Sequence, residues 1–381
     1  MKTVVYWSPF LTNVATISAV INSAKSLKLY SKNYRPIIIN ACGEFTPYKK
    51  NLEDNGIELK NLIKFDYHRF LPKVGFLKSR ISYLIIFIIS LFPLIYFIKK
   101  KKIEYIICHL ITSLPLFISK IINTKTKFIL RISGLTNLNL VRKFFWIYLG
   151  KNLFLVTCPT ITTLNEIKNQ KLFSEDKVVL LRDPVIRIKT IQNQKRQQLN
   201  INIDKKNFNI ICIGRLTRQK NFEFIINNFQ NILDIKDNSK LYILGEGEQK
   251  KYLEDMIEKR GLHNHIFLIG FHQNIHNILS KSNLFILTSL WEDPGWVLIE
   301  AACSNTLILS SNCKNGPEEL IEKNKGGILF ENNSNKDFLD KIKQTFQLSQ
   351  NEIFKKKVFS KKKSKLFTVF NHYLSIEKLL K

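Results

Sequence analysis

Residues 209–221 read NIICIGRLTRQKN, and this stretch decides the fold class. The apolar run at 209–214 predicts a short buried strand, and the amphipathic pattern of Phe222–Leu233 predicts the helix that follows it. The basic loop between them places Arg215 and Lys220 directly after the end of the strand. Because parallel α/β sheets bind ligands beyond the carboxyl ends of their strands, this loop is a candidate binding segment.

The same alternation of strands and helices runs along nearly the whole chain and predicts an α/β fold with parallel sheets. In the first half, the strand candidates are Val4–Trp7, Pro36–Asn40, Tyr105–His109, Phe128–Ile132, Leu153–Cys158 and Val178–Leu181, with a helix at Ala15–Leu29. In the second half, the further strand candidates are Lys240–Gly245, Ile266–Gly270, Leu284–Thr288, Thr306–Ser310 and Gly327–Phe330.

A break at Asp183-Pro184, followed by a polar stretch rich in Gln, Lys and Asn, divides the chain. The predicted organisation is a first domain at 1–186, a linker at 187–207, a second domain at 208–345 and basic helices at 346–381, with packing of these helices on the first domain as one option. Two doubly wound, Rossmann-like domains of this kind are expected to face each other across a cleft that holds the functional site.

The charge balance narrows the choice of partners. The 381 residues carry 59 Lys and Arg against 30 Asp and Glu, a formal net charge of +29. This favours a phosphate-rich substrate or an anionic lipid surface, with background composition as the alternative. Nucleic acid is not expected as a partner, because the chain has no zinc-finger spacing, helix-turn-helix pattern or aromatic RNA-binding signature. The six scattered cysteines and seven histidines show no metal-ligand spacing, so no metal site is expected.

A second motif, LWEDPGWVLIE at 290–300, follows another predicted strand. Its Pro and Gly form a turn, and a helix is expected to begin near Trp296, where free backbone N–H groups suit a phosphate or a developing anion. Glu292 lies in the turn and Glu300 about one turn into the helix, so the two carboxylates can reach different parts of one extended ligand. Spacing alone also allows a capping carboxylate and a solvated helix residue, just as the basic loop alone could simply be exposed.

Taken together, the motifs resemble the family-four retaining glycosyltransferases, which have the two-domain GT-B fold. The resemblance covers nearly all of Asn209–Phe330 and depends on the order and spacing of the motifs. The landmarks that carry it are Gly214-Arg215-Leu216 with Gln219-Lys220-Asn221, then Leu244-Gly245-Glu246-Gly247, Gly270-Phe271, the Glu292 and Glu300 pair, and Asn315-Gly316-Pro317-Glu318-Glu319.

The resemblance implies roles for the first group of residues. Arg215 and Lys220, in the loop that begins at Gly214, would hold the diphosphate of a nucleotide sugar donor. Glu300 would bind the ribose hydroxyls, and Glu292 would contact the donor sugar near the reacting carbon. The family needs no metal or cofactor, because cationic side chains and amides neutralise the leaving diphosphate.

A second group is implied to surround the donor. The amides of Gly295, Trp296 and Val297 would face the sugar or phosphate, and Glu246 and Phe271 would lie near the base or the pocket wall. The family often reads Glu-Gly-Phe-Gly at the first glutamate, whereas Asp293-Pro294 follows it here. Gly295 is retained, so the turn is still expected to form.

The first half matches the family less closely. The loop Ser8–Asn13 stands where many members carry a Gly-Gly pair near the diphosphate. His109 ends a predicted strand at a point where the family often has a histidine close to the acceptor and the anomeric centre. A structural role is the alternative for a lone histidine at a strand end. Arg131–Gly134 ends the next strand and is expected to face the same cleft.

The resemblance therefore implies sugar transfer with retention at the anomeric carbon, from a nucleotide diphosphate sugar to a saccharide or lipid-linked acceptor. Synthesis of a cell-surface polysaccharide or lipopolysaccharide is the expected context. Two rivals remain: a nucleotide-sugar epimerase or phosphorylase on the same architecture, and a basic membrane-binding protein without transferase chemistry. The ordered landmarks argue against the first rival. The second leaves the paired glutamates and the basic loop unexplained.

One segment bears on where in the cell the protein is located. Ile81–Ile98 is almost wholly apolar and is followed by Lys99–Lys102, and Pro93 is expected to kink or divide it. Its alternatives are a core helix, a helix embedded shallowly in the inner face of a membrane and, least expected, a spanning helix. No secretory signal pattern is present at the N-terminus, so we expect a cytoplasmic protein that can bind an anionic membrane surface.

Overall fold

The computed structural model describes residues 1–12, 15–73, 76–110, 112–133, 140–197 and 203–381. They form two compact units, one of Met1–Val185 with Val369–Lys381 and the other of Ile186–Thr368. Each unit contains one parallel sheet with helices packed on it. The prediction of two Rossmann-like α/β domains is therefore confirmed.

The sheet of the first unit has the strand order β3-β2-β1-β4-β5-β6-β7. Its strands are β1 (Lys2–Trp7), β2 (Tyr34–Asn40), β3 (Glu58–Asn61), β4 (Ile103–Cys108), β5 (Lys127–Arg131), β6 (Leu155–Cys158) and β7 (Val178–Leu180). Its first helices are α1 (Ala15–Tyr30), α2 (Lys49–Asp54), α3 (Phe76–Lys100), α4 (Ser113–Ile121), α5 (Leu140–Gly150) and α6 (Ile161–Asn169). Sequence reasoning missed only β3 among these strands, because this short edge strand is polar and largely exposed.

The second unit has the strand order β10-β9-β8-β11-β12-β13. Its strands are β8 (Phe208–Ile213), β9 (Ser239–Leu244), β10 (Ile266–Gly270), β11 (Leu284–Leu287), β12 (Leu307–Ser311) and β13 (Ile328–Phe330). Its helices are α7 (Ile188–Arg196), α8 (Phe222–Ile235), α9 (Lys250–Lys259), α10 (Ile275–Lys281), α11 (Trp296–Ser304), α12 (Pro317–Ile321), α13 (Asn335–Gln347) and α14 (Gln350–Ser364). The last helix, α15 (Val369–Leu379), returns to the first unit and packs on α1.

The unit boundaries differ from the predicted ones at two places. Part of the proposed linker is the helix α7, which packs on α10 and is tied to it by a 2.9 Å hydrogen bond from Asn274 Nδ2 to the Gln194 carbonyl. Residues 198–202 of that linker lie outside the described residues. The helix α14 packs on α11 within the second unit and buries Ser360 and Ser364, so only 369–381 of the proposed basic tail joins the first unit.

The helix α3 is buried along one side and exposed along the other, so the core-helix alternative holds for one of its faces. It is continuous through Pro93, so of the two effects expected of this proline, a kink or a division, the division is wrong. A stripe at spacing four, including Ile86, Ser90 and Leu94, is buried against the core and holds the helix in register. The opposite side is exposed and apolar. Since α3 joins β3 and β4 of one sheet and packs on α4, its placement is that of a surface helix of this unit.

By length and composition, Leu77–Lys100 could cross a membrane, and no other such helix occurs within the described ranges. Its 18-residue window has a mean hydropathy of 2.5, yet only a third of that window is buried inside the protein. The large exposed apolar side chains of α3 are Leu77, Ile81, Tyr83, Leu84, Ile88, Ile89, Phe92 and Tyr96.

Candidate active site

The strand order of the second unit creates a point where neighbouring strands continue in opposite directions. From β8 the chain moves to β9 on one side, whereas β11 lies on the other side and leads on to β12. Loops diverge at such a point and leave a crevice beyond the carboxyl ends of the strands. The basic loop follows β8 and the Glu292 turn follows β11, so both sequence motifs lie at this crevice.

The two motifs meet in a buried ion pair between Lys220 and Glu292, which are 72 positions apart. The Lys220 and Glu292 side chains are 13% and 5% exposed. Ser289 Oγ donates a 2.6 Å hydrogen bond to the same Glu292 oxygen. The ammonium group carries three protons, so one contact with Glu292 leaves donors for a further anion. Sequence reasoning selected both residues but gave them separate ligands and did not anticipate their pairing.

Backbone contacts hold the two loops in register around this pair. The Leu290 N–H donates to the Gln219 carbonyl at 2.8 Å, and Gln219 Nε2 donates to the Trp291 carbonyl at 2.9 Å. Thr288 Oγ1 donates to the Lys220 carbonyl at 2.8 Å. The position of Lys220 is therefore fixed from both the main chain and its charged end.

Gly245 lets the loop after β9 approach the loop after β8. Its φ is +148°, and a Cβ atom there would lie 1.8 Å from the Gly214 carbonyl oxygen, so any other residue would clash with backbone. The neighbouring Leu216 N–H donates to the Glu246 carbonyl at 2.9 Å. Glu246 and Phe271 thus lie on adjacent loops after β9 and β10, and the Phe271 side chain is 71% exposed.

The turn before α11 forms despite the Asp293-Pro294 departure, because Gly295 supplies the left-handed conformation that precedes the helix, with φ +82°. Trp296 and Val297 begin α11 and are half-buried. Glu300 is also half-buried in this helix, and burial raises the pKa of its carboxyl to about 8. At neutral pH this group is therefore largely protonated and can both donate to and accept from hydroxyl groups.

In the first unit, His109 follows β4 at the equivalent switch point between β1 and β4. Its backbone N–H donates to the Trp7 carbonyl at 2.7 Å, and the residue is only 4% exposed. Burial, helped by nearby Arg131 and His372, holds the pKa of the imidazole well below its usual value, so the ring is neutral. Its Nδ1 atom has no hydrogen-bond partner among the described residues.

Arg131, at the end of β5, binds other residues of the first unit. It forms a buried ion pair with Asp183 and donates to the Leu181 carbonyl at 2.5 Å. Gly134, which was grouped with it, lies outside the described residues. Of the loop Ser8–Asn13, Ser8 is buried and Asn13 is likewise outside the described residues.

The remaining candidate, Arg215, is exposed beside Lys220 and forms no ion pair with any residue that the structure describes. Among the residues that the structure describes, no group of three or more His, Cys, Asp or Glu side chains is arranged to hold a metal ion. Cationic side chains and backbone amides are thus the described groups that can meet an anion at the crevice of the second unit.

Comparison with known proteins gives a family match for the second unit. Residues 192–364 match the family described as Glycosyl transferases group 1. An uncharacterized glycosyltransferase of Methanocaldococcus jannaschii is 31% identical over 209 residues, covering 52% of each chain. A poly(ribitol-phosphate) alpha-N-acetylglucosaminyltransferase of Staphylococcus aureus is 31% identical over 169 residues, covering 44% of this chain and 34% of the relative. The chain thus spans about half the length of these curated relatives or less.

The fold is similar over the entire chain to a solved structure. The crystal structure of Anabaena HepE in complex with UDP has a TM-score of 0.74 and covers 100% of this chain and 99% of its own, at 14% identity. At that identity the likeness concerns the fold alone. The second unit thus matches the glycosyl transferases group 1 over residues 192–364, and the chain as a whole has the two-domain fold of GT-B glycosyltransferases.

Proposed function

We propose that the protein is a retaining glycosyltransferase that moves a sugar from a nucleotide diphosphate donor to a saccharide or lipid-linked acceptor in the synthesis of a cell-surface glycan. The observation that carries this proposal is the buried Lys220 and Glu292 pair at the strand switch point, next to the start of α11. The relatives support it, since one is named for transfer of N-acetylglucosamine to poly(ribitol phosphate).

The donor diphosphate is proposed to bind at the loop after β8. Lys220 keeps donors that Glu292 does not use, and Arg215 adds an exposed guanidinium, which can hold phosphate oxygens in a bidentate manner. Amides of Gly295, Trp296 and Val297 at the start of α11 supply further donors. These groups stabilise the charge that develops on the leaving diphosphate, and we propose that they do so without a metal ion.

The two glutamates are proposed to hold the two ends of the donor. Glu300, protonated near neutral pH, exchanges hydrogen bonds with the ribose hydroxyls. Glu292, fixed by Lys220 and Ser289, contacts the sugar near the anomeric carbon. Phe271 is exposed on the loop after β10 and Glu246 on the adjacent loop, where they form the wall beside the base.

Retention follows in this proposal from attack on the same face that the diphosphate leaves. The carbon–oxygen bond to the diphosphate breaks first, and the acceptor hydroxyl then bonds to the short-lived oxocarbenium-like carbon and loses its proton to the departing phosphate oxygen. In the first unit, the neutral His109 is proposed to serve the acceptor side. No covalent enzyme intermediate is needed.

We further propose that the protein is cytoplasmic and works at the inner face of a membrane. The exposed side of α3 is apolar from Ile81 to Tyr96, and α5 adds the exposed side chains Phe144, Ile147 and Tyr148. Lys99–Lys102 at the end of α3 and a net charge of +29 complement anionic headgroups. A lipid surface is therefore the occupant that both the apolar and the charged parts of this face fit.

Donor binding is the first experiment for the function. Nucleoside diphosphate sugars are screened for an increase in the melting temperature of the purified protein, because a ligand that binds only the folded state stabilises it by mass action. We expect one base and sugar to raise the melting temperature, and the double variant Arg215→Ala/Lys220→Ala to lose this increase. If no nucleotide sugar stabilises the protein, the assignment of the second unit to a donor is wrong.

A further inference from the structure

A buried chain of hydrogen bonds connects the last helix to the first strand. His372 of α15 bonds through Nδ1 to the Arg182 carbonyl at 2.7 Å and through Nε2 to Ser23 Oγ at 2.8 Å. Ser23 Oγ in turn bonds to the Tyr6 hydroxyl at 2.9 Å. His372, Ser23 and Tyr6 are all buried.

The donor and the acceptor of each hydrogen bond in this chain follow from the chemistry of the groups. A carbonyl oxygen can only accept, so His372 Nδ1 carries the proton that it donates to Arg182. Burial lowers the pKa of His372 to about 4, so the ring is neutral and its Nε2 accepts. Ser23 must then donate to His372 and accept the proton of the Tyr6 hydroxyl. Every polar atom in the chain is satisfied, as a specific buried network requires.

His109 lies beside the Tyr6 ring, at one end of this chain of hydrogen bonds. The ring centroids of Tyr6 and His109 are 6.5 Å apart, and the two planes are inclined by 30°. A small cavity is lined by His109, Ser23, His372 and the Arg131 and Asp183 ion pair. His109 therefore shares this cavity with His372 and Ser23, and the Tyr6 ring lies beside the imidazole.

We propose that His372, contributed by the last helix, is a positioning residue for His109. It anchors Ser23 and Tyr6 and forms one wall of the cavity, which holds the His109 ring in its orientation. The charged and titratable side chains that line this cavity with His109 are Arg131, Asp183 and His372, and the Tyr6 ring lies beside the imidazole. An apolar residue at 372 would pack under α1 as well without the cost of burying an imidazole, so packing alone gives no reason for a histidine there.

The part of this proposal that concerns turnover rests on the proposed glycosyltransferase activity, and the part that concerns the ring does not. The two are therefore measured separately. Nitrogen-15 NMR of protein labelled at its seven histidines reports the tautomer and surroundings of each ring, and the His109→Gln variant identifies the His109 signals. Steady-state kinetics with donor and acceptor report turnover and the Michaelis constants.

Three variants separate positioning from stability. His372→Leu removes both hydrogen bonds, whereas the amide of His372→Gln can still accept from Ser23 and donate to Arg182. Val369→Ala removes buried methyl groups from α15 and leaves the chain of hydrogen bonds intact. It serves as the matched control for destabilisation. Tyr6→Phe removes one hydroxyl and leaves the ring that lies beside His109.

We expect His372→Leu to shift the His109 nitrogen signals and to lower kcat by about tenfold to a hundredfold, with the donor KM changed less than about twofold, as a displaced catalytic group predicts. His372→Gln should recover most of both effects, and Val369→Ala should produce neither. Tyr6→Phe should shift the same signals by a smaller amount, and this variant decides the matter if His372→Leu does not fold.

Unchanged His109 signals in His372→Leu, or in Tyr6→Phe should the former not fold, would overturn the proposal. So would a loss of kcat in Val369→Ala equal to that in His372→Leu, since that result would make α15 a purely structural support. If the wild-type protein shows no transfer at all, the proposed function fails, and the shift of the His109 signals still decides whether His372 positions the ring.

Discussion

The fold gives Glu292 two hydrogen-bond partners, Lys220 and Ser289. The Glu292 oxygen accepts from both the Lys220 ammonium and the Ser289 hydroxyl, and both ends of the ion pair are almost fully removed from solvent. A buried pair of this kind adds little stability compared with an apolar pair, yet either charge left alone is costly. Its presence at a strand switch point is explained better by ligand binding than by stability.

Removing one partner therefore has a predictable cost in stability. Lys220→Met should lower the free energy of unfolding by about 3–5 kcal/mol, because it leaves Glu292 buried without a cation. The double variant Lys220→Met/Glu292→Gln should recover most of that loss while staying inactive. Urea denaturation measures both. If the single and double variants are equally unstable, the two side chains do not form a coupled pair.

Arg215 offers a test of donor binding that is free of this complication. Arg215 is exposed, so Arg215→Ala should leave the free energy of unfolding unchanged and weaken stabilisation of the leaving diphosphate by about 2–4 kcal/mol in kcat/KM. Arg218, exposed in the same loop, is the matched control and should tolerate the same change. Equal losses in both variants would mean a general charge effect in place of a specific contact.

Glu300 predicts a pH dependence of stability. Its pKa is about 8 in the folded protein against an ordinary value of 4.5, so between these pH values the folded state holds more protons than the unfolded state. The free energy of unfolding therefore falls as pH rises through this window. Glu300→Gln should be more stable than wild type at pH 8, by about 1–3 kcal/mol, and should match it near pH 4.5. Denaturation curves that differ by a constant amount at both pH values would contradict the raised pKa.

At the scale of the element, α3 divides its side chains between two environments. Leu94 is fully buried in the core of the first unit, whereas Phe92 is 76% exposed only two positions away. The helix has one buried and one exposed face, although its central run Ile81–Ile98 is almost wholly apolar. Hydropathy therefore could not distinguish its two faces, and only the packing against the sheet and α4 does so.

The two faces of α3 should respond differently to substitution. Leu94→Ala should lower the free energy of unfolding by about 2–5 kcal/mol, as for other buried leucines. Ile88→Ser and Phe92→Ser should leave stability unchanged and abolish flotation with anionic liposomes, which the wild type should show at low salt and lose progressively as salt rises. Retention of liposome binding in the double serine variant would remove α3 from the membrane proposal.

The predictable and unpredictable elements differ in a physical way. The strand β11 is a continuous apolar run, and β8 is apolar apart from Asn209. Turn residues bound both, and the apolar pattern finds each strand within one or two positions. The edge strand β3 is polar and exposed, and α7 is a polar helix with only Ile191 buried, so neither carries an apolar pattern. The ion pair of Lys220 with Glu292 and the chain from His372 to Tyr6 join residues far apart in sequence, and local patterns contain no information about such contacts.

At the scale of the whole molecule, the two units have different relations to the proposed chemistry. The second unit carries the family motifs, the match to the glycosyl transferases group 1 and the paired charges. The first unit carries few recognisable motifs, and its candidate residue His109 stands out by burial and environment. Acceptor recognition in this account belongs to the first unit, where sequence resemblance is weakest and where the last helix of the chain is anchored.

The proposed activity is acceptor-dependent sugar transfer with retention, in which the second unit binds the donor. The most direct measurement incubates the protein with the nucleotide sugar that stabilises it and a panel of saccharide and lipid-linked acceptors, in the presence of EDTA, and follows nucleoside diphosphate release and the product linkage by proton NMR. We predict release that requires an acceptor, a product with the anomeric configuration of the donor, and loss of turnover in Glu292→Gln. Donor turnover without any acceptor, or a product of inverted configuration, would contradict the account.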